Sequence, residues 1–557
     1  MFRRRGLERV AVVAAALGAA LLPVLLAAPG AGAAGGRYTV TSTGDTADAT
    51  AGDGLCRTTA GTCTLRAALQ QDQADGGPST VAFAIPGSGP RTIQLGSALP
   101  ALAAGGTTVD GYTQSGSSPN TAARSSNATL RIEVSGSGNG GPEGFVITSA
   151  GNTVRGLALF NLRVAVRIAG TGARGNVLAG NFIGTNAAAS FQAPSASSSA
   201  AGVVIRANAP ANRIGGTAVA DRNVISGNAG RGIIVNVPAE TARGTVENVI
   251  QGNIIGLVPD GSARRGNLGH GIDINAGASR NHVLDNVISG NVGSAVEVSH
   301  GTTTAANEVA GNRIGTDLSG AGAPTYARNG GTSQPNVRVE DGPVDTLIRG
   351  NVIGGSVVGG VRVNAIGTAP RRTRIEDNRI GVSTTGAGIA NAPFGVSVES
   401  GSADTKITGN EIASNNGPGV RVADTATDRV TISGNAIHDN SGLGIDLLPA
   451  GVTPNDTGDG DDGPNDLLNF PVLEPVAPRS VRARACGGCR IEVFLADTAD
   501  SGANGEGRDL VASGTTDSGG TATLSLPDRA LGQWVTATAT NTAGSTSEFS
   551  ENIVAPK

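Results

Sequence analysis

The chain reads as an all-β protein dominated by a parallel β-solenoid, and three observations lead there. One phrase, small residue, aliphatic, any residue, aliphatic, returns between Ala165 and Leu447. It reads AVRI from Ala165, GVVI from Gly202, GIIV from Gly232, GIDI from Gly271, AVEV from Ala295, NVRV from Asn336, GVRV from Gly360, GVSV from Gly395, GVRV from Gly419 and GIDL from Gly444. A second phrase, Asn followed two residues later by Ile, recurs at Asn181, Asn223, Asn253, Asn286, Asn312, Asn351, Asn378, Asn410 and Asn435. Several phrases repeat after 24 or 25 residues, as from Gly271 to Ala295 and from Gly419 to Gly444. A period in that range, made of short alternating strands with Gly at the bends, is one turn of a solenoid.

Composition agrees. Gly supplies 86 of 557 residues and aromatics only 3%, which suits tight corners around a thin aliphatic core. Within each strand the period is two, so the flanking aliphatics face inward and the residue between them faces outward. Roughly 11 to 13 coils are expected between about residue 80 and residue 450. Leucine-rich repeats have a similar length, but their Leu-x-x-Leu-x-Leu frame is missing.

From the N-terminus, residues 1–34 carry Arg3, Arg4, Arg5 and Arg9, an apolar stretch from Val10 to Ala28, and small residues at Ala31, Ala33 and Ala34. That pattern is expected of a secretory signal peptide cleaved near Ala33 or Ala34. Its four Arg and one Glu give +3, so the mature chain moves from −4 to −7, which argues against nucleic acid as a partner. No later segment is long and apolar enough to span a bilayer, so no membrane insertion of the mature chain is expected. Four cysteines fall in two close pairs, Cys56 with Cys63 and Cys486 with Cys489. In an exported chain these read as two disulfides.

Residues 51–71, AGDGLCRTTAGTCTLRAALQQ, resemble the CSLREA motif at the start of exported bacterial β-helix proteins, with Cys63, Thr64, Leu65, Arg66, Ala67 and Ala68 as its core. Ala67 stands where that motif has Glu, so no role of that Glu is carried over. The resemblance implies a right-handed parallel β-helix with the pectin lyase-like fold. Residues 35–79 are expected to form an N-terminal cap in which Thr64 to Gln71 make two helical turns over the open edge of the first coil. Residues 80–450 form the solenoid and 451–475 an acidic Gly/Pro-rich linker. Residues 476–557 are similar to the immunoglobulin-like sandwich appended to such proteins, with the Cys486–Cys489 bridge stapling a turn at its first strand.

Candidate sites follow from aligning the coils. The Asn column is expected to be a structural ladder, because Asn tolerates corner conformations and its amide bonds the next coil. The phrases ending at Ile183, Ile255, Ile314 and Ile380 each precede a longer polar loop, and the four loops are expected in a row at one corner. The outward column of the first phrase runs Arg167, Val204, Ile234, Asp273, Glu297, Arg338, Arg362, Ser397, Arg421 and Asp446. Asp273 and Glu297 stack one coil apart, followed by Arg338 and Arg362; these four are the ligand-binding candidates, against a solvated face in which Glu297 lies near Arg338. Stacked Arg338 and Arg362 are unfavourable unless water or a ligand screens them.

No catalytic residue is assigned. The Gly-His-Gly phrase at His270 resembles that of polygalacturonases, but the alignment puts Arg231 and Ser294 beside it and the chain has no Arg-x-Lys. His282, His300 and His438 fall in different coils and make no metal-ligand spacing. Asp456, Asp459, Asp461 and Asp462 in the linker form part of an Asp-x-Asp-x-Asp-Gly loop and are a calcium candidate; no other cofactor is expected. The expectation is therefore a monomeric secreted or cell-surface protein, non-catalytic, presenting its long face to an extracellular glycan or protein. The alternative is a carbohydrate-active enzyme, a lyase or hydrolase of an extracellular polysaccharide. The scarcity of aromatic rings for stacking on sugars lowers both glycan readings.

Overall fold

The structure, a computed structural model, describes residues 36–138, 141–237, 244–497 and 503–557; the segment expected to be a signal peptide lies outside them. Three long parallel sheets of 13, 12 and 11 strands wrap one apolar interior, as expected for a parallel β-helix of 11 to 13 coils. The first sheet runs from Arg37–Val40 to Thr431–Ser433, the second from Arg91–Gln94 to Ala436–His438, and the third from Phe145–Ile147 to Ile445–Leu447. The third holds the small-aliphatic-x-aliphatic phrases and the second the residues just after the Asn column. The flanking aliphatics of the third sheet, Ile272 and Ile274, Val296 and Val298, Val337 and Val339, are fully buried.

The corner between the first and second sheets explains the Asn phrase. The residue before the ladder Asn adopts a left-handed backbone in nearly every coil, as Gly180, Gly252, Asp285, Gly311, Gly350, Asp377, Gly409 and Gly434 do, which selects Gly or Asp. Each ladder Asn then bonds the next. The Asn253 backbone N–H and side-chain Nδ2 donate to Asn286 Oδ1 at 3.0 and 2.9 Å, and Asn286 donates likewise to Asn312. Each Nδ2 also reaches a carbonyl of the preceding coil, as Asn286 Nδ2 does to Ile250 O at 2.9 Å. Two further ladders occupy the other corners. One joins Asn152, Asn176, Asn212, Asn248, Asn281 and Asn307. The other joins Asn228, Asn267, Asn291 and Asn329, and continues through Asn336, Asn391, Asn415 and Asn440.

At the N-terminal end a helix, Leu65–Asp75, lies over the first coils and buries Leu65, Ala68 and Leu69. It is longer than the two turns expected, and ends at left-handed Gly76. Thr64 caps its start by accepting the Ala67 N–H at 3.0 Å. Arg66 bridges Asp45 and the carbonyls of Ser97 and Ala98, tying helix to solenoid. Cys56 and Cys63 are disulfide-bonded. Strand Arg37–Val40, within the segment expected to be only a cap, already pairs with Thr80–Phe83.

Beyond the last coil, two small antiparallel sheets pack together. One contains Val472–Ala477, Ser480–Arg484 and Thr521–Ser525; the other contains Gly507–Thr515, Arg490–Ala496, Trp534–Thr540 and Ile553–Val554. The first strand thus starts at Val472, ahead of the expected boundary. The Cys486–Cys489 disulfide lies between the second and third strands rather than at the first. The 451–475 stretch is also less detached than a linker, because Asn465 is fully buried and accepts the Val430 N–H at 2.9 Å. Among the described residues no helix is long and apolar enough to cross a membrane.

Candidate functional site

The third sheet turns two columns of side chains outward. The first pairs Ile234 with Asp273, Asp273 with Glu297, Glu297 with Arg338, Arg338 with Arg362, Arg362 with Ser397, Ser397 with Arg421 and Arg421 with Asp446 in parallel register. The second, two residues further along each strand, carries Asn275, Ser299, Glu340, Asn364 and Glu399, with Ser299, Glu340 and Asn364 in register. Sequence reasoning missed this second column, although the same period of two points to it.

The acidic step of this face is buried rather than solvated, while Arg231, Arg338, Arg362 and Arg421 keep partial exposure and Glu297 lies near Arg338, as the solvated-face expectation had it. Asp273 is 2% exposed and Glu297 5%. Arg231, one coil before, brings Nε within 2.6 Å of Asp273 Oδ2. Glu297 lies 3.6 Å from Arg338 and 3.4 Å from Ser299 Oγ. The stacked guanidinium groups of Arg338 and Arg362 need no ligand for charge balance. Glu340 pairs with Arg338, and Glu399 lies 3.4 Å from Arg362 and 2.6 Å from Arg421. Burial pushes the Glu340 carboxyl above its usual range, against the pull of Arg338, and lowers the Arg362 guanidinium.

The loops that follow Ile183, Ile255, Ile314 and Ile380 all join the second sheet to the third and so leave one corner. Three of them each send a side chain onto the charged column. His270 places Nε2 3.4 Å from Glu297. Gln334 accepts from Arg338 at 2.8 Å, and Phe394 lies under the Arg362 and Arg421 guanidinium groups at 5.3 and 4.7 Å. The contact of His270 with the column adds to the sequence reading, which sets the residue aside as a catalytic group and does not place it on this face. Ser294 is indeed beside it, donating its N–H to Nδ1 at 3.0 Å, but the loop carries the ring over to Glu297 as well. The first loop is followed by two adjoining cavities. One of about 270 Å³ is lined by Phe160, Asn161, Phe191, Ser195 and Asn228 among others, and one of about 260 Å³ by Ser197, Ser198, Arg231 and His270 among others; both reach Ala229.

Several buried polar atoms here lack an aligned hydrogen-bond partner: Arg231 Nε, Asp273 Oδ1, Asn275 Nδ2, Ser294 Oγ, Glu297 Oε2, Arg338 Nε, Arg362 Nε and Asn364 Oδ1. Such atoms are costly in a folded interior, and eight of them gather on this face, while three others, Thr346, Thr373 and Thr405 Oγ1, stand at the corner before the first sheet. In the connector, Asp456, Asp459 and Asp461 bring carboxylate oxygens within 4.8 Å of one another, without Asp462. His282 pairs with Glu308 at 2.7 Å and His438 with Asp439 at 2.8 Å, in different coils.

Three parallel sheets, ladder corners and a loop-bordered polar face define a protein of the right-handed parallel β-helix class. A family model described as right handed beta helix region matches residues 319–456. Among solved structures, the Azotobacter vinelandii mannuronan C-5 epimerase AlgE6 A-module is 16% identical with a TM-score of 0.33, covering 75% of this chain and 100% of that one. The Geobacillus virus E2 ORF18 structure is 12% identical with a TM-score of 0.33, covering 93% and 75%. The enzymatically active domain of bacteriophage CBA120 tailspike protein 2 is 12% identical with a TM-score of 0.24, covering 84% and 75%. No curated protein matches the chain.

Proposed function

We propose that this is a secreted or cell-surface recognition protein that binds an extracellular glycan along the outer face of its third sheet, between Arg231 and Arg421. The observation that carries this reading is the cluster of buried donors and acceptors on that face that lack an aligned hydrogen bond, even where an opposite charge is close, as at Arg231 and Glu297. Donors on Arg231, Asn275, Arg338 and Arg362 stand among acceptors on Asp273, Glu297 and Asn364, and a polyol offers hydroxyls that both donate and accept. The adjoining cavities give a chain molecule an approach beside Arg231 and His270. The two disulfides suit an oxidising compartment.

The contact between His270 and Glu297 favours a second reading, a carbohydrate-active enzyme, since an imidazole against a carboxylate can move a proton. A glycan array followed by a polysaccharide panel scored for new reducing ends and unsaturated products separates the two. Binding lost in Asp273→Asn, without product from the wild type, supports recognition. Turnover abolished by Glu297→Gln supports the enzyme, and binding to proteins but no glycan overturns both.

A further inference from the structure

The end of the solenoid that faces the sandwich has a polarity set by its ladders. Each ladder Asn directs its backbone N–H and Nδ2–H toward the following coil, so the last coil presents donors and needs acceptors beyond it. The sandwich supplies them with three carboxylates that are almost fully buried: Glu492, Glu506 and Glu548, exposed by 2%, 6% and 3%. Glu492 accepts from Ser433 Oγ and the Gly434 N–H, both at 2.9 Å. Glu506 accepts the N–H and Nδ2–H of Asn440, the terminal rung, at 2.7 and 2.8 Å. Glu548 accepts the N–H groups of Leu447 and Thr453, both at 2.9 Å. One carboxylate thus meets each side of the last triangular coil. Phe494 and Phe549, in edge contact at 5.7 Å, join the solenoid core between them.

The charged surroundings differ among the three. Glu492 has Arg490 at 2.8 Å. Glu506 faces Asp497, whose carboxylate also accepts the Asp439 N–H at 3.0 Å. Asp439 is itself paired with His438 and Arg508, at 2.8 and 3.0 Å. Glu548 faces buried Asp446, whose register partner is Arg421. Among the described residues, Glu506 and Glu548 therefore each have a like-charged neighbour and no arginine of their own. We propose that the sandwich is a proton-responsive cap, seated on the last coil while Glu506 and Glu548 are protonated and loosened when both ionise beside Asp497 and Asp446. Burial outweighs the hydrogen bonds from Asn440, Leu447 and Thr453, with Asp497 and Asp446 adding smaller upward pushes, and lifts Glu506 to about 8 and Glu548 to about 7, so the change falls near neutral pH. Loosening bares the strand edges Thr431–Ser433, Ala436–His438 and Ile445–Leu447, which are open to pairing with another chain.

Hydrogen exchange of the full-length protein tests this. Protection of those three strands is measured relative to the internal strands Val249–Gln251 and Ile254–Ile255, so that the intrinsic pH dependence of exchange cancels. Between about pH 6 and about pH 9 the ratio is expected to fall by about tenfold or more in the wild type and to stay level in the Glu506→Gln/Glu548→Gln protein. A level ratio in the wild type, or an equal fall in the double variant, overturns the proposal. Should the double variant fail to fold, Asp497→Asn retains an acceptor oxygen while removing one like charge. It is expected to move the midpoint of the fall to lower pH, and an unmoved midpoint overturns the role of Glu506.

Discussion

The His270 imidazole spans two contacts on the next coil: Nδ1 accepts the Ser294 N–H at 3.0 Å while Nε2 lies 3.4 Å from Glu297. The first contact assigns the ring proton of the neutral imidazole to Nε2, aimed at the carboxylate. Glu297 is thereby held between His270 and Arg338, and Arg338 keeps Glu340 whatever happens to Glu297. Glu297→Gln is expected to lower glycan affinity about tenfold or more while leaving the melting temperature within a few degrees of wild type. Isothermal titration with an array-selected glycan, beside a thermal melt, checks both; unchanged affinity would detach Glu297 from the binding face.

The ladder is expected to be the most sensitive polar element of the rod. Asn286→Ala removes two bonds accepted from Asn253 and two donated to Ile250 and Asn312, all in a fully buried corner. The expected cost is about 3 kcal/mol, because the partners are left buried and unpaired. Denaturant unfolding measures it, and a cost below about 1 kcal/mol would mean that water repairs the corner.

Left-handed glycines separate backbone strain from crowding. Gly301 has φ +92 and open space where a methyl group would stand, whereas at Gly256, with φ +97, a Cβ would lie 2.2 Å from the Ser289 carbonyl oxygen. Gly301→Ala is expected to cost about 1 kcal/mol and Gly256→Ala at least about 3 kcal/mol. Equal losses in paired denaturation curves would show that conformational strain alone governs both.

The stability of the C-terminal end is expected to depend on pH with a defined sign. Glu506 and Glu548 rise from an ordinary 4.5 to about 8 and about 7, so the folded protein binds more protons than the unfolded chain between those limits. Their contribution is therefore fully present below the ordinary value and lost as pH climbs through 7 and 8. Thermal melts across that window are expected to show an earlier unfolding step at higher pH, flattened in Glu506→Gln/Glu548→Gln. A step that rises with pH would reverse the assignment.

Much of the architecture was legible because a coil's neighbours are set by period alone. Aligning GIDI with AVEV put Asp273 beside Glu297, and the same pairing stands in the register of the third sheet. The Asn at the corner between the third and first sheets recur in phrases such as GNVL, ANRI and ENVI, but the sequence reading does not pick them out as a column. Burial of Asp273 and the contact of His270 with Glu297 were not visible, because both depend on where irregular loops come to rest. A loop has no period to align, and the outward position of a strand residue does not say what covers it.

The sequence by itself determined the solenoid, its inward aliphatics, its Asn corner and the order of charges along one face. These follow from local rules, alternation in a strand and left-handed backbone before Asn, repeated coil after coil. Only the tertiary structure decided that three loops close over the charges, that Glu340 and Glu399 balance the arginines, and that Glu492, Glu506 and Glu548 close the open end. Those contacts join residues far apart in the chain, through burial and hydrogen-bond geometry that no repeat encodes.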